Sequence, residues 1–300
     1  MSRKLHIVPG LNDCVNGMAV VARLIAKAHG DSEVVDLNHG LHRIRKNDVA
    51  EIWVHGMWLP KEWLACWETL KRGKRLVRML HGCVDPVRLK FHGWRKWFVG
   101  PIERWCLRRC DRIVATCEAE KGWIERYLGR HCPPVEVTDI KRFFRLPQND
   151  KTGQTHFIIS KAVHLLYLGR KHPLKGVEYL EAAVAELNSN PVNPVNPVQK
   201  TSICPELELR IVSSTFGDEL EKIWDWCDVL VLPTLSENFG LVVAEALERG
   251  KRVITTDGAP AWGDGNDYGR RLIYLKGYRN GTDERRVALL KNTIGAQIGI

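Results

Sequence analysis

The clearest structural signal in this chain is the segment Ser236-Glu237-Asn238-Phe239-Gly240-Leu241-Val242-Val243-Ala244-Glu245-Ala246-Leu247. The apolar run Val229-Leu230-Val231-Leu232 before it predicts a buried strand. Gly240 marks the start of a helix, and Gly250 is a typical helix stop. The segment is therefore the loop and helix of a strand–loop–helix unit, which is typical of parallel α/β folds.

Glu237 and Glu245 place one carboxylate before the predicted helix and a second inside it. The free N–H groups of a helix N-terminus bind phosphate or diphosphate, and carboxylates accept hydrogen bonds from hydroxyl groups. A molecule with a diphosphate between hydroxyl-bearing groups is a nucleotide sugar, which we predict as the ligand. The alternative is that both acids are solvated, as most glutamates are.

The same two glutamates, eight positions apart, resemble the Glu-x7-Glu signature of retaining family-four glycosyltransferases of the GT-B fold. Leu165 to Arg170, followed by Lys175 to Leu180, is similar to the first strand and phosphate-binding loop of the family's donor domain. The resemblance extends to His81 to Pro86 and Cys110 to Glu120, which are similar to acceptor-domain segments of bacterial lipopolysaccharide and exopolysaccharide members.

The resemblance implies an α/β chain of GT-B fold, with two Rossmann-like, doubly wound parallel-sheet domains facing a cleft. We expect residues 1–150 to form the acceptor-side domain and residues 151–300 a nucleotide-sugar donor domain, with a linker from Arg145 to Thr155. The donor domain is expected to be shortened, because little chain separates Val212 from the helix that precedes Asp228.

Strands alternate with helices along both halves. In the first half, strands are predicted at Leu5 to Val8, Val34 to Leu37, Glu51 to His55, Arg75 to Leu80 and Arg112 to Ala115, with helices from about Gly17 to Ala28, Lys61 to Lys71 and Glu118 to Leu128. In the second half, strands are predicted at His164 to Leu168, Leu207 to Val212, Val229 to Leu232 and Arg252 to Thr255, with helices at Val177 to Leu187 and Asp283 to Asn292. The last helix is expected to cross back to the first domain, and the proline repeat at 190–198 to be extended.

The function that the resemblance implies is transfer of a sugar, with retention, from a UDP, GDP or ADP sugar to a glycan or lipid-linked acceptor in lipopolysaccharide or exopolysaccharide biosynthesis. The expected catalytic residues are His81, Arg170, Lys175 and Glu237. The expected donor-binding residues are Asn16, Gly17, Asn238, Phe239, Gly240, Leu241 and Glu245. Two structural alternatives stand: His81 is a capping or packing histidine, and Asn16 with Gly17 is an ordinary helix cap.

We expect no cofactor other than the nucleotide sugar and no metal. Arg170 and Lys175 are two cations that can neutralise a departing diphosphate. The sequence lacks an Asp-x-Asp pair, and Asp264-Gly265-Asn266-Asp267 predicts a turn.

The composition indicates a protein of the cytoplasm. The 300 residues, 44% of them hydrophobic, suffice for two domains. No apolar run reaches the ~18 residues of a membrane span, and no signal-peptide core follows Met1. Nine cysteines without a Cys-x-x-Cys pair argue against a disulfide framework and a structural zinc site.

The net charge of +10 and the pI near 9.2 indicate anionic partners. The segment from Arg88 to Arg109 interleaves cations with aromatic residues, and Pro101 within it predicts two short helices. Two interpretations stand. Either Trp97, Phe98, Trp105 and Leu107 are helix core beneath a solvated basic face, or the segment docks peripherally on the anionic inner face of the cytoplasmic membrane. Nucleic acid is not expected, because no nucleic-acid fold signature accompanies the charge.

Two other functions stay open at this stage. One is a different enzyme on the same architecture, such as a nucleotide-sugar epimerase. The other is a catalytically silent subunit that binds a nucleotide or a membrane, which the short donor domain would suit.

Overall fold

The computed structural model describes residues 3–11, 16–91, 93–147, 162–189, 206–213, 215–263, 268 and 271–298. The chain forms two compact units, residues 1–143 and 144–300, and each is built on one parallel sheet. The predicted proline repeat and most of the predicted linker lie outside the described residues.

The sheet of the first unit has six strands in the order β2-β1-β3-β4-β5-β6. They are β1 (Arg3–Val8), β2 (Ser32–Asp36), β3 (Val49–His55), β4 (Arg75–Met79), β5 (Arg112–Ala115) and β6 (Val135–Val137). The connecting helices are α1 (Gly17–His29), α2 (Leu37–Ile44), α3 (Pro60–Lys71), α4 (Pro86–Lys90), α5 (Gly93–Leu107) and α6 (Glu118–Leu128). Since parallel strands end at the same edge, their carboxyl ends bring the following loops together.

The two faces of this sheet differ in chemistry. Leu5, Ile7, Ile52 and Val54 belong to a large apolar core on one face. Side chains alternate between faces along a strand, so the residues between them, which include His6 and Trp53, point to the other side. Those polar and aromatic residues are nevertheless fully buried or nearly so.

The prediction that Pro101 divides its segment is wrong, because α5 continues through that residue. A proline inside a helix leaves the carbonyl four residues earlier, here that of Trp97, without its partner. This position lies on the exposed side of α5, where Trp97 is 75% exposed and water can reach the backbone. The opposite side of the helix is anchored by the buried residues Glu103 and Leu107.

The sheet of the second unit has five strands in the order β11-β10-β9-β7-β8. They are β7 (Ala162–Leu168), β8 (Glu206–Val212), β9 (Val229–Leu232), β10 (Arg252–Thr256) and β11 (Leu272–Leu275). The helices are α7 (Val177–Ser189), α8 (Asp218–Trp226), α9 (Leu241–Glu248) and α10 (Asp283–Ile298). One further turn of 3₁₀ helix, Pro173–Lys175, precedes α7.

Several predicted boundaries change. Leu37 begins α2 rather than ending a strand, because the Asp36 carboxylate caps the helix by accepting hydrogen bonds from the backbone N–H groups of Asn38 and His39 at 2.7 and 2.9 Å. The strand β11 was not expected. The helix α10 extends beyond Asn292 and packs against α7 of its own unit, with Lys291 paired to Glu186.

Two expectations about the whole chain can be compared with the described residues. No helix in this part of the chain is both long and apolar enough to cross a membrane. The seven cysteines within the described ranges are all free thiols.

Candidate functional site

The loops at the carboxyl edge of the second sheet are tied together by one carbonyl. The Leu174 oxygen, which follows β7, accepts hydrogen bonds from the Thr234 hydroxyl at 3.0 Å and from the N–H groups of Leu235 and Ser236 at 2.9 and 3.3 Å. These donors lie in the loop after β9. The contact fixes the basic turn after β7 against the loop that carries Glu237.

Gly176 permits this approach. Its φ of 62° lies in the left-handed region, and a Cβ at this position would meet the carbonyl oxygen of Pro233 at 2.3 Å. Only glycine accommodates both the backbone conformation and the contact without a shift of the loop. The glycine thus sets the spacing between Lys175 and the loop after β9.

Lys175 and Glu237 form a direct ion pair, with the ammonium group on Oε2 of the carboxylate. Their side chains are only 17% and 21% exposed, so the pair is partly removed from solvent. The Glu237 backbone is held from the other side, because its N–H donates to the carbonyl of Gly258 at 2.7 Å. A cation and a carboxylate are therefore positioned together at the sheet edge.

Aromatic packing positions the start of α9. Gly240 is the N-cap with a φ of 71°, and the carbonyl of the residue before it, Phe239, accepts a hydrogen bond from Trp262 Nε1. The Phe239 ring is buried, with its centroid 5.2 Å from that of Trp262. Phe239 and the largely buried Asn238 thus shape the turn that presents the helix N-terminus.

Glu245 lies one turn into α9, on the half-buried side that it shares with Leu241 and Val242. Burial raises the pKa of its carboxyl group, and the charge of Arg249 partly opposes this. Within the described ranges the carboxylate makes no hydrogen bond or ion pair. A desolvated acid without a protein partner is suited to accept hydrogen bonds from a ligand.

Arg170 differs from Lys175 in being exposed, and its side chain makes no ion pair with any described residue. Its carbonyl accepts a hydrogen bond from the buried Tyr167 hydroxyl at 3.0 Å. Burial and the charge of Glu237 raise the pKa of that hydroxyl, whereas the charge of Arg170 lowers it. Glu237 and Arg170 therefore both lie near Tyr167, at the end of β7.

In the first unit, His81 follows β4 in a strained turn. Its φ is 52°, which is uncommon for a residue with a side chain, and Gly82 continues the turn with a φ of 72°. The turn is held by the buried Glu120, whose carboxylate accepts hydrogen bonds from the N–H groups of Gly82 and Thr116. Such strain persists where the surroundings fix it, as they often do at functional sites.

The imidazole of His81 is not isolated. Its Nε2 lies 2.9 Å from Nδ1 of His55, and Nε2 of His55 lies 3.0 Å from Nδ1 of His6. Burial lowers the pKa of His81 and of His6 to about 3, and it holds the pKa of His55 well below its ordinary value. All three rings are therefore neutral near pH 7.

Asn16 and Gly17 stand at the start of α1, as expected. The Asn16 amide oxygen accepts from the N–H of Met18 at 3.1 Å, and its NH₂ group donates to the carbonyls of Pro9 and Gly10 at 2.6 and 3.0 Å. This side chain is thus occupied by capping the helix and holding the loop after β1. Gly17 is exposed at the helix N-terminus.

The sequence matches the models of two known protein families. Residues 16–140 match the family model described as Glycosyltransferase Family 4. Residues 162–273 match the model described as Glycosyl transferases group 1. The chain is a glycosyltransferase.

Solved structures confirm the GT-B fold of this glycosyltransferase. A sucrose-phosphate synthase from Thermosynechococcus elongatus has a TM-score of 0.65 at 14% identity, over 98% of this chain and 90% of that chain. A trehalose-6-phosphate synthase has a TM-score of 0.58 at 14% identity, over 99% and 96%. A structure described as trehalose-6-phosphate from E. coli bound with UDP-2-fluoro glucose has a TM-score of 0.53 at 12% identity, over 98% and 96%. No curated protein matches the sequence significantly.

Three residues that support the site of this glycosyltransferase were not predicted from the sequence. Glu120 holds the turn at His81, and His55 and His6 continue the hydrogen bonds of His81 into strands β3 and β1 of the same sheet. One sequence signal for these residues lay in the segment Glu51-Ile52-Trp53-Val54-His55. Polar and apolar residues alternate there, in a strand that is buried on both faces. Fully apolar runs are usual in such strands.

The described residues hold no cluster of three or more histidine, cysteine or acidic side chains that could bind a metal ion. The predicted turn from Asp264 to Asp267 lies outside the described residues. In the described part of the second unit, Lys175, Arg170 and the N-terminus of α9 are suited to bind a diphosphate.

Proposed function

We propose that this glycosyltransferase moves a sugar, with retention of anomeric configuration, from a nucleotide diphosphate sugar to a glycan or lipid-linked acceptor. The donor is a UDP, GDP or ADP sugar. Residues 151–300 form the donor domain and residues 1–150 the acceptor-side domain. The biological setting that we propose is lipopolysaccharide or exopolysaccharide biosynthesis, on the resemblance of the segments at His81 and at Cys110 to members of that group.

The observation that carries the proposal is the Lys175–Glu237 ion pair in the turn beside the N-terminus of α9. A diphosphate at the helix N-terminus would be attracted by the helix dipole and by Lys175. Glu237 would be released in part from Lys175 to accept hydrogen bonds from the donor-sugar hydroxyls. The partner-free carboxylate of Glu245 suits the two ribose hydroxyls.

The proposed mechanism follows from the charges that develop during bond cleavage. Breaking the bond between the anomeric carbon and the phosphate oxygen places the electron pair on the departing diphosphate, and the sugar becomes oxocarbenium-like. Lys175 and Arg170 stabilise the diphosphate by preorganised electrostatics. The acceptor hydroxyl attacks from the face of the leaving group, and its proton goes to the departing phosphate oxygen, which gives retention without a protein nucleophile.

The remaining predicted site residues have narrower roles in the proposal. His81 donates a hydrogen bond to the donor, and Gly17 allows a phosphate or sugar to approach the start of α1. Asn16 and the turn Asn238-Phe239-Gly240-Leu241 hold the backbone that contacts the donor. One of the similar structures is described as bound with UDP-2-fluoro glucose, which supports a nucleotide-sugar donor. Because Lys175 and Arg170 can supply the neutralising charge, the reaction is proposed to be metal-independent.

A peripheral contact with an anionic membrane is part of the proposal, and α5 supplies its support. Trp97, Phe98 and Trp105 are 75%, 66% and 40% exposed, so the interpretation of these three residues as helix core does not hold. Arg109 stacks on Trp105, with its guanidinium carbon 4.4 Å from the ring centroid. Aromatic residues beside cations suit the headgroup boundary of an anionic bilayer.

A cavity of about 550 Å³ adjoins this face of α5. Its lining combines the Trp58 and Tyr127 rings with the cationic side chains of Lys96 and Arg104. An aromatic wall with two cations suits the phosphate group and first methylenes of an anionic lipid. The lining also includes the exposed Trp97 and Phe98, so the cavity and the exposed side chains belong to one surface that supports the membrane part of the proposal.

The catalytic proposal is tested by incubating the protein with a panel of nucleotide sugars. Release of nucleoside diphosphate is followed by chromatography, and ¹H NMR at early times gives the anomeric configuration of the transferred or hydrolysed sugar. We expect release of a sugar with retained configuration and loss of most turnover in Glu237→Gln. The matched control is Glu219→Gln, at an exposed position on α8, which is expected to keep full turnover.

Each other result of this experiment rejects a named part of the proposal. An inverted product would reject retention, and an epimerised nucleotide sugar would favour the epimerase. Binding of a nucleotide without turnover, unchanged in Glu237→Gln, would favour the silent subunit.

The membrane contact is tested by co-sedimentation with vesicles of phosphatidylcholine alone or mixed with phosphatidylglycerol. We expect binding to the mixed vesicles only, weakened by salt and by the double change Trp97→Ser and Phe98→Ser. The control is Phe216→Ser, an aromatic residue of the second unit that is 52% exposed. Equal binding to both kinds of vesicle would reject the electrostatic part.

A further inference from the structure

Three histidines form a hydrogen-bonded line at the carboxyl half of the first sheet. His6 lies in β1, His55 ends β3, and His81 follows β4. The donor–acceptor distances are 3.0 Å between His6 Nδ1 and His55 Nε2, and 2.9 Å between His55 Nδ1 and His81 Nε2. His6 and His55 have no exposed surface, and His81 is 5% exposed.

Neutral imidazoles in a line must share one direction of donation. Each ring carries one N–H and one bare nitrogen, so each donates on one side and accepts on the other. The proton position of His81 is then set by His55, and that of His55 by His6. Which nitrogen of a histidine carries the proton is generally determined by the bond that its other nitrogen makes.

The far end of the line decides its direction. His6 Nε2 is buried and has no hydrogen-bond partner among the described residues. Buried N–H groups without a partner are rarer than unpaired acceptors, which indicates that this nitrogen is the bare one. His6 then donates from Nδ1 to His55, and His55 donates from Nδ1 to Nε2 of His81.

The proton of His81 consequently lies on Nδ1. That nitrogen makes no hydrogen bond with any described residue. The backbone of His81 is fixed by its turn, which Glu120 holds through Gly82. Both the direction of the ring and its protonation are thus determined before any ligand arrives.

We infer that His6 and His55 are positioning residues that hold His81 in the Nδ1–H tautomer, so that it offers an N–H to an oxygen atom of the donor. The identity of the receiving oxygen rests on the proposed function, whereas the tautomer does not. The comparable case is the catalytic triad, in which a buried acid holds the histidine in its working tautomer. In this protein two neutral histidines, His6 and His55, hold the tautomer of His81, so the arrangement places no charge in the buried sheet.

The tautomer is measured directly on the wild-type protein without ligand. Long-range ¹H–¹⁵N correlation spectra of protein labelled with ¹⁵N-histidine distinguish protonated from bare ring nitrogens, and His81→Asn identifies the His81 signals. We expect a protonated Nδ1 and a bare Nε2 at His81, unchanged between pH 6 and pH 8. A protonated Nε2, or a mixture of the two tautomers, would overturn the inference.

The positioning role is measured by kinetics with the donor found for the wild type. His55→Leu is expected to lower kcat/KM about three- to tenfold, the size of one net hydrogen bond. On the background of His81→Ala the same change is expected to have no further effect, since His55 acts only through His81. His39→Ala, an exposed histidine of α2, is the control. Additive losses in the double variant would reject the positioning role even if the tautomer is as inferred.

These measurements separate two kinds of failure. If no nucleotide sugar binds and the tautomer is nevertheless Nδ1–H, the proposed function fails and the histidine line stands as a structural device. If a donor binds and the tautomer is Nε2–H, the inference alone fails. If His55→Leu does not fold, His6→Leu is measured in its place. Without His6, His55 loses the hydrogen bond that determines which of its ring nitrogens carries the proton.

Discussion

Replacing Lys175 with methionine separates the charge of this residue from its bulk. The Lys175–Glu237 pair is 17% and 21% exposed, so loss of the ammonium group leaves a half-desolvated carboxylate without its cation. The stability cost is modest, about 1 kcal/mol, because the carboxylate can still reach water. The effect on catalysis is larger, because in the proposal Lys175 meets the charge that develops on the departing diphosphate.

Loss of one preorganised group of this kind costs about 3–4 kcal/mol of transition-state stabilisation, or about 10²–10³-fold in kcat. Steady-state release of nucleoside diphosphate measures kcat, and urea unfolding measures the stability cost. The control is Lys171→Met in the same loop, where the lysine is 61% exposed and pairs with Glu181. A Lys175→Met variant that keeps a third or more of kcat would rule out this role for Lys175, and so would an equal loss of kcat in Lys171→Met.

Three further changes test the surrounding structure, each by urea unfolding. Gly176→Ala is expected to lose about 3 kcal/mol, because the cost of the left-handed backbone and the cost of the carbonyl 2.3 Å from the new Cβ add. Gly73→Ala, with a φ of 63° at the end of α3 and open space around the new Cβ, should lose only about 1–2 kcal/mol. Equal losses would contradict the close approach. Glu103→Gln, which leaves the fully buried Arg78 unpaired, should lose about 3–5 kcal/mol, and a loss under about 1 kcal/mol would contradict the buried pair. Burial raises the pKa of Glu245 above its ordinary 4.5, so the folded state binds this proton more tightly than the unfolded state does. The free energy of unfolding therefore falls as pH rises from 4.5 through the raised pKa. Glu245→Gln should abolish that fall, and the same pH profile in the wild type and the variant would contradict the raised pKa.

The alternation of strands and helices could be predicted from sequence because buried parallel strands are apolar runs. Val229 to Leu232 is such a run, and it forms β9 with the predicted bounds. The helix from Glu118 to Leu128 was also predicted with its bounds. These elements follow from local pattern, which is why one sequence suffices for them.

The elements that sequence reasoning missed depend on tertiary contacts. The helix α2 contains Gly40, and a Cβ there would meet the Ile7 side chain at 2.7 Å, so this glycine allows the helix to pack closely on β1. From sequence alone a mid-helix glycine argues against a helix. Pro101 was misread for a similar reason, since the exposure of Trp97 that makes the proline tolerable is a property of the fold.

The candidate site likewise contains residues that could be predicted from the sequence and residues that could not. Lys175 and Glu237 were predicted as functional residues 62 positions apart, and the structure pairs them. The partners of His81 could not be predicted, because His55 and His6 reach it only through the order of the strands in the sheet. A donor-binding role for Asn16 stays a prediction, although its amide is engaged in capping α1.

In the proposed mechanism the second unit binds a nucleoside diphosphate, and Glu245 accepts hydrogen bonds from its ribose. The most direct measurement is thermal unfolding with UDP, GDP, ADP and CMP and their sugars, for the wild type and Glu245→Ala. A ligand at 100 times its Kd adds about 2.7 kcal/mol, which corresponds to about 5–10 °C in Tm for a domain of this size. We predict such a shift for one nucleoside diphosphate and its loss in Glu245→Ala. No shift with any nucleotide, or a shift that Glu245→Ala leaves unchanged, would contradict the account.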